Sequence, residues 1–151
     1  MENLNKTKLG ILTILGMIGS FFADLFGGWD TALQTLLIFM AVDFAMGWIV
    51  AGVFKKSKKS ENGALNSYAS WKGLCKKGVT LLVVLIATRL DMLLGSAFIR
   101  TAAIISYILN ETLSITENAG LMGIYIPPVI AKAIDVLRSK EAGAENEKNI
   151  H

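Results

Sequence analysis

Residues 32–54 read ALQTLLIFMAVDFAMGWIVAGVF, a stretch in which Asp43 is the single charged residue. A helix rises about 1.5 Å per residue and the hydrocarbon core of a bilayer is about 30 Å thick, so this segment is long enough to cross it. A central Asp costs about 2.5 to 3.5 kcal/mol on insertion scales, and each Leu, Ile, Phe or Val returns about 0.3 to 0.6. Leu33, Leu36, Leu37, Ile38, Phe39, Val42, Phe44, Ile49, Val50, Val53 and Phe54 supply enough apolar surface for the segment to insert with Asp43 inside it. A charge held at that depth faces a helix bundle or a watery path rather than lipid.

Composition agrees with this reading over the whole chain. Of 151 residues, 53% are hydrophobic and 18% charged, with a mean hydropathy of +0.52. A soluble domain of this length has no core large enough to hide so much apolar side chain. Three further runs resemble the first: 9–26 with Asp24, 78–98 with Arg89 and Asp91, and 101–116 with Glu111. Lys6 and Lys8 precede the first run as in a secretory signal, but Ser20-Phe21-Phe22-Ala23 offers no small-x-small cleavage pattern, so a retained span is expected. The fold expected is an all-α integral membrane protein. It is a bundle of about four transmembrane helices within one membrane domain, 1–131, followed by a charged cytoplasmic tail, 132–151. Three spans with a re-entrant or interfacial fourth is the alternative.

The charges are segregated. Lys55, Lys56, Lys58, Lys59, Lys72, Lys76 and Lys77 crowd the loop 55–77 against Glu61 alone, a formal +6. Lysines wedged between two apolar runs report topology, and with Lys6, Lys8, Lys132, Arg138 and Lys140 they place this loop and both termini on the inner side of the membrane. A pI near 9.0 therefore does not argue for nucleic acid. Within the loop, Tyr68, Trp71 and Leu74 recur at helical spacing between Lys72, Lys76 and Lys77. That pattern suits either a helix lying on the anionic membrane surface, with these lysines and Trp71 toward the lipid headgroups, or the start of the third span. Gly27, Gly28, Trp29 and Asp30 make a tight turn to the second span.

Arg89 and Asp91 are two residues apart, about 200° around a helix, so each needs a partner on another element. Asp43 is expected at similar depth, which suggests an Asp43–Arg89 pair. Ala41 with Ala45, and Gly47 with Ala51, form small-residue pairs suited to close helix packing. Asn110, Glu111, Ser114, Glu117 and Asn118 recur at spacings of three and four, making one polar face that lines an aqueous space or lies at an interface. Gly120, Gly123 and Pro127-Pro128 end that helix, and a basic stretch from Val129 to Lys140 precedes an acidic end.

Catalytic apparatus is not visible. There is one cysteine, Cys75, and one histidine, His151, and no phosphate-binding or nucleophile motif occurs. No catalytic, cofactor or metal residue is expected.

Taken together, Asp43-x-x-x-Gly47, the loop ending Trp71-Lys72-Gly73-Leu74-Cys75-Lys76-Lys77, Asp91, and the block from Asn110 to Asn118 followed by Gly120-Leu121-Met122-Gly123-Ile124-Tyr125-Ile126-Pro127 resemble the toxin-secretion/phage-lysis holins. The similarity runs from about Trp29 to Arg138. The resemblance implies a small phage protein, not an enzyme, that gathers as homo-oligomers in the lipid of the host's cytoplasmic membrane. There it opens lesions that collapse the membrane potential and release an endolysin, or a toxin, without needing direct contact with it. Asp43, Gly47, Asn110, Glu111, Ser114, Glu117, Asn118 and Pro127 match the family pattern. A small ion channel or transporter relaying ions through Asp43 and Glu111 is the alternative from another class.

Overall fold

A computed structural model describes residues 2–58, 63–132 and 135–136, with side chains from residue 5 onward. Lys59, Glu61 and nearly all of the expected tail lie outside the described residues. Among those described, the chain is helical and no strand occurs. The helices are α1 (Glu2–Leu25), α2 (Thr31–Ile49, extended by a π-helical turn Val50–Phe54), α3 (Ser67–Leu94) and α4 (Phe98–Leu121). Asn5–Leu25 and Thr31–Phe54 are long and apolar enough to cross a membrane by length and composition.

Three of the boundaries show their local cause. Asp30 caps α2, its carboxylate accepting from the Leu33 amide at 2.9 Å. Asn66 caps α3, accepting from Tyr68 at 2.9 Å. Gly95 closes α3 in the left-handed conformation, φ 64°.

Two of the expected segments change shape. The third helix begins at Ser67, not 78, and runs unbroken for 28 residues through Gly73 and Gly78. The 67–77 segment is thus the start of α3 and not a separate surface helix. The fourth is longer than 101–116, with 24 residues, about 36 Å at the α-helical rise. Two of its polar residues, Glu111 and Asn118, find partners on neighbouring helices, and Thr112 and Thr116 bond back to the preceding turn.

The apolar core is a short stack of Leu33, Leu36 and Met40 from α2, Val84 from α3 and Ile104 from α4. These positions belong to stripes of three- and four-residue spacing, one per helix. The α2–α4 and α3–α4 seams are the broad ones, while α2 and α3 touch sparingly. α1 stands apart from this stack and is exposed along nearly all its length. Arg100, at the start of α4, donates to the Phe26 carbonyl at 2.6 Å and to Asp30 Oδ2 at 2.6 Å. The α1–α2 and α3–α4 turns therefore share one end of the molecule, and the lysine loop occupies the other.

Candidate functional site: a buried ionic cluster at the loop end

The stripes that build the core change chemistry along their length. On α2 the buried series is Leu33, Leu36, Met40, then Asp43. On α3 the stripe read toward the loop end is Val84, Leu81, Lys77; on α4 it is Ile104, Ile108, Glu111, Asn118. Beyond the apolar stack, therefore, each of the three helices presents a polar group to the same interior space.

These groups meet. Lys77 Nζ lies 2.9 Å from Asp43 Oδ2 and 2.5 Å from Glu111 Oε2. Asn118 donates to Asp43 Oδ1 at 3.0 Å. Asp43, Glu111 and Asn118 are buried, at 6%, 7% and 8% exposure. One ammonium thus bridges carboxylates from two different helices in a formal −1 cluster. Counting from Asp30, the Asp43 level is about 20 Å from the turn end, toward the loop side of the bundle.

Two cavities open onto the cluster. One of about 120 Å³ lies between α2, the 64–66 segment and α4, with Gly47, Trp48 and Ser70 in its wall. A wider one of about 350 Å³ is lined by Lys76, Thr80, Asn110 and Glu111. Asp43, Gly73, Lys77, Ser114 and Glu117 line both, so the bridged charges stand between two polar recesses.

The residues singled out from the sequence are distributed as follows. Asp43, Glu111 and Asn118 come together in the cluster. Gly47, Asn110, Ser114 and Glu117 border its cavities. Gly47 does so without close packing, since a Cβ built there meets nothing within 4 Å. Ala41 and Ala45 face outward. Arg89 is exposed and not near Asp43; its guanidinium reaches the Met92 sulfur at 3.4 Å. The expected Asp43–Arg89 pair is thereby corrected to Asp43–Lys77. The reason is rotational, because the buried stripe of α3 runs through 77, 81, 84, 88 and 91 and leaves 89 on the opposite side.

Asp91 is on that stripe but not at mid-span. It lies in the last turn of α3, where its carboxylate accepts from the backbone amides of Ile99 (3.1 Å) and Arg100 (2.8 Å) and from the Ser96 hydroxyl. It caps the start of α4. Lys55, Lys56, Lys58, Lys72, Lys76 and Trp71 are exposed at the loop end. Lys77, expected among them at the membrane surface, is instead drawn inward by its two carboxylates.

Sequence reasoning missed Lys77 as a partner because it was counted with its lysine neighbours. Its signal was the helical spacing to Leu81 and Val84. Arg100 was missed as well, since its partners lie some 70 positions earlier and only the antiparallel return of α4 brings them close.

A model of the bacteriophage holin family matches residues 20–139. An uncharacterized 14.9 kDa protein from the nagH 3' region of Clostridium perfringens is 38% identical, covering 93% of this chain and all of that protein. An uncharacterized protein of Listeria innocua is 34% identical over 94% of this chain and 93% of its own length. A protein of Bacillus phage phi105 named a probable holin is 34% identical over 71% of this chain and 74% of its own. No solved structure matches the chain.

Proposed function

The chain belongs to the bacteriophage holin family, and from that premise we propose that it permeabilises the bacterial cytoplasmic membrane by assembling into homo-oligomers. The lesions so formed dissipate the membrane potential and let a cell-wall hydrolase, or in a toxin locus a toxin, leave the cytoplasm. Family membership points to a membrane protein rather than an enzyme. The structural observation that supports the reading is the Asp43–Lys77–Glu111–Asn118 cluster, because an ionisable group inside a helix able to cross a membrane, as Asp43 is in α2, faces a bundle interior or a watery path and marks a functional site. Four crossings of an up-down bundle, with both termini and the lysine loop in the cytoplasm, suit the shared turn end and the cation-rich opposite end.

In this reading Asp43, Glu111, Glu117 and Asn118 become wall groups of an aqueous lumen once several copies meet. Membrane lipids surround the exposed apolar faces, and the lysines at the loop end rest against anionic headgroups. Neither a cofactor nor contact with the released enzyme is required.

Induced expression in a bacterium, followed by a potential-sensitive dye, culture density and release of a large cytoplasmic reporter, tests this. The expected result is an abrupt loss of potential after a delay, followed by escape of the reporter and, with a hydrolase co-expressed, lysis. Unchanged potential with the protein present in the membrane would overturn the reading. Passage of small ions without the reporter would favour instead the channel alternative, in which Asp43 and Glu111 relay ions.

A further inference from the structure

Packing alone does not account for Lys77. A leucine at that place on the α3 stripe would continue the stack of Leu81 and Val84 and would cost nothing to desolvate. The chain instead carries an ammonium that reaches Asp43 of α2 and Glu111 of α4 at once. Because α2 and α3 touch sparingly, this double bridge is a polar tie among all three helices on the loop side of the apolar stack.

Building on the permeabilising role argued above, we propose that Lys77 is an intramolecular latch that keeps each copy closed, and that its withdrawal is the step that turns Asp43 and Glu111 toward a shared lumen. The charge count gives the latch its direction. With Lys77 in place, two carboxylates share one counter-charge; without it, they face each other across a medium of low dielectric and repel. That repulsion acts across the α2–α4 seam, the broadest in the molecule. The recesses on either side bring the cluster close to water, and the flexible lysine stem can swing toward the loop end, where its charge is solvated.

The latch makes opposite predictions for substitutions that a plain structural pair would not distinguish. Lys77→Met leaves the two carboxylates uncompensated and is expected to shorten the delay before loss of potential severalfold at equal membrane level. Lys77→Arg keeps the counter-charge and the wild-type delay. The triple variant Asp43→Asn, Lys77→Gln, Glu111→Gln removes both the latch and the repulsion; it is expected to enter the membrane and permeabilise late or not at all. An unchanged or longer delay for Lys77→Met would overturn the latch.

A second readout does not depend on permeabilisation. In a Cys75→Ser background, a cysteine at Ser114, which lines both cavities, should react with a polar maleimide in detergent severalfold faster when Lys77→Met is added. Equal rates would overturn the latch even where wild-type protein collapses the potential. Faster labelling in a protein that never collapses it would support the latch while the permeabilising role fails. If Lys77→Met does not accumulate, Lys77→Gln, which also removes the counter-charge but whose amide can still donate to both carboxylates, is expected to give intermediate labelling, and wild-type labelling would count against the proposal.

Discussion

Arg100 occupies the first turn of α4, where the helix dipole disfavours a cation, yet it is largely buried and well satisfied. The Asp91 carboxylate takes over the capping of the α4 amides, and the guanidinium spans to Phe26, Gly28 and Asp30. Arg100→Met should leave the Phe26 and Gly28 carbonyls without this partner and lower stability by about 1 to 3 kcal/mol, read as a lower thermal midpoint in detergent. Gly27 sits beneath the same side chain at φ 77°, and a Cβ there would come within 3.0 Å of the Thr88 methyl and 3.4 Å of Arg100 Nε. Gly27→Ala is therefore expected to cost about 1 to 2 kcal/mol from the backbone alone, measured in the same way.

The hydrogen bond from Arg100 holds the Asp30 carboxyl below its ordinary value. A depressed carboxylate contributes stability that is fully present above its unfolded-state value and is lost as pH falls through the lowered folded-state value. Asp30 is about half exposed, so the contribution is small. The thermal midpoints of wild type and Asp30→Asn, which keeps a competent cap, should differ slightly at neutral pH and converge in strong acid. A gap that widens on acidification would refute this assignment.

At the scale of elements, the sequence already contained the stripes but not their rotation. The series 33, 36, 40 and 43 has helical spacing, and in the structure it carries both core and site on one face of α2. On α3 the attention given to Arg89 and Asp91, two charges each expected to find a partner on another element, hid a stripe that begins at Lys77, because a helix start obscured by lysines moved the expected boundary eleven residues along. Burial separates neighbours sharply on α2: Leu36 is fully buried while Ile38 is 58% exposed. In lipid the transfer term is small and packing dominates, so Leu36→Ala should cost about 2 kcal/mol, whereas Ile38→Ala should leave the midpoint unchanged.

For the molecule as a whole, the packed unit is α2, α3 and α4, and α1 is an exposed apolar arm that the family match reaches only from residue 20. Tryptophan replacing Ile14 or Ile18 on α1 should be quenched by brominated lipid to a similar extent, while on α2 a tryptophan at Ile38 should be quenched far more than one at Met40. The proposed topology has an equally direct check, since Cys75 is an exposed thiol near the loop end. A membrane-impermeant maleimide should label it in inverted vesicles and not in intact cells; the reverse pattern would invert the bundle.

What the sequence determined by itself was the medium, and it set the direction of insertion that is expected. Hydropathy and charge segregation are sums over residues, and such sums require no knowledge of which helix lies beside which. The holin resemblance and the polar face of 110–118 were legible for the same reason, being local patterns. Only the tertiary structure decided the partners: Lys77 rather than Arg89 for Asp43, Asp91 as a cap rather than a mid-span charge, and Arg100 as the tie between two distant turns. Those pairings depend on the azimuth of each helix and on its exact start, and a shift of one residue turns a side chain by about 100°. Charge identity can be read from a chain, but its neutralisation is a property of the space between helices.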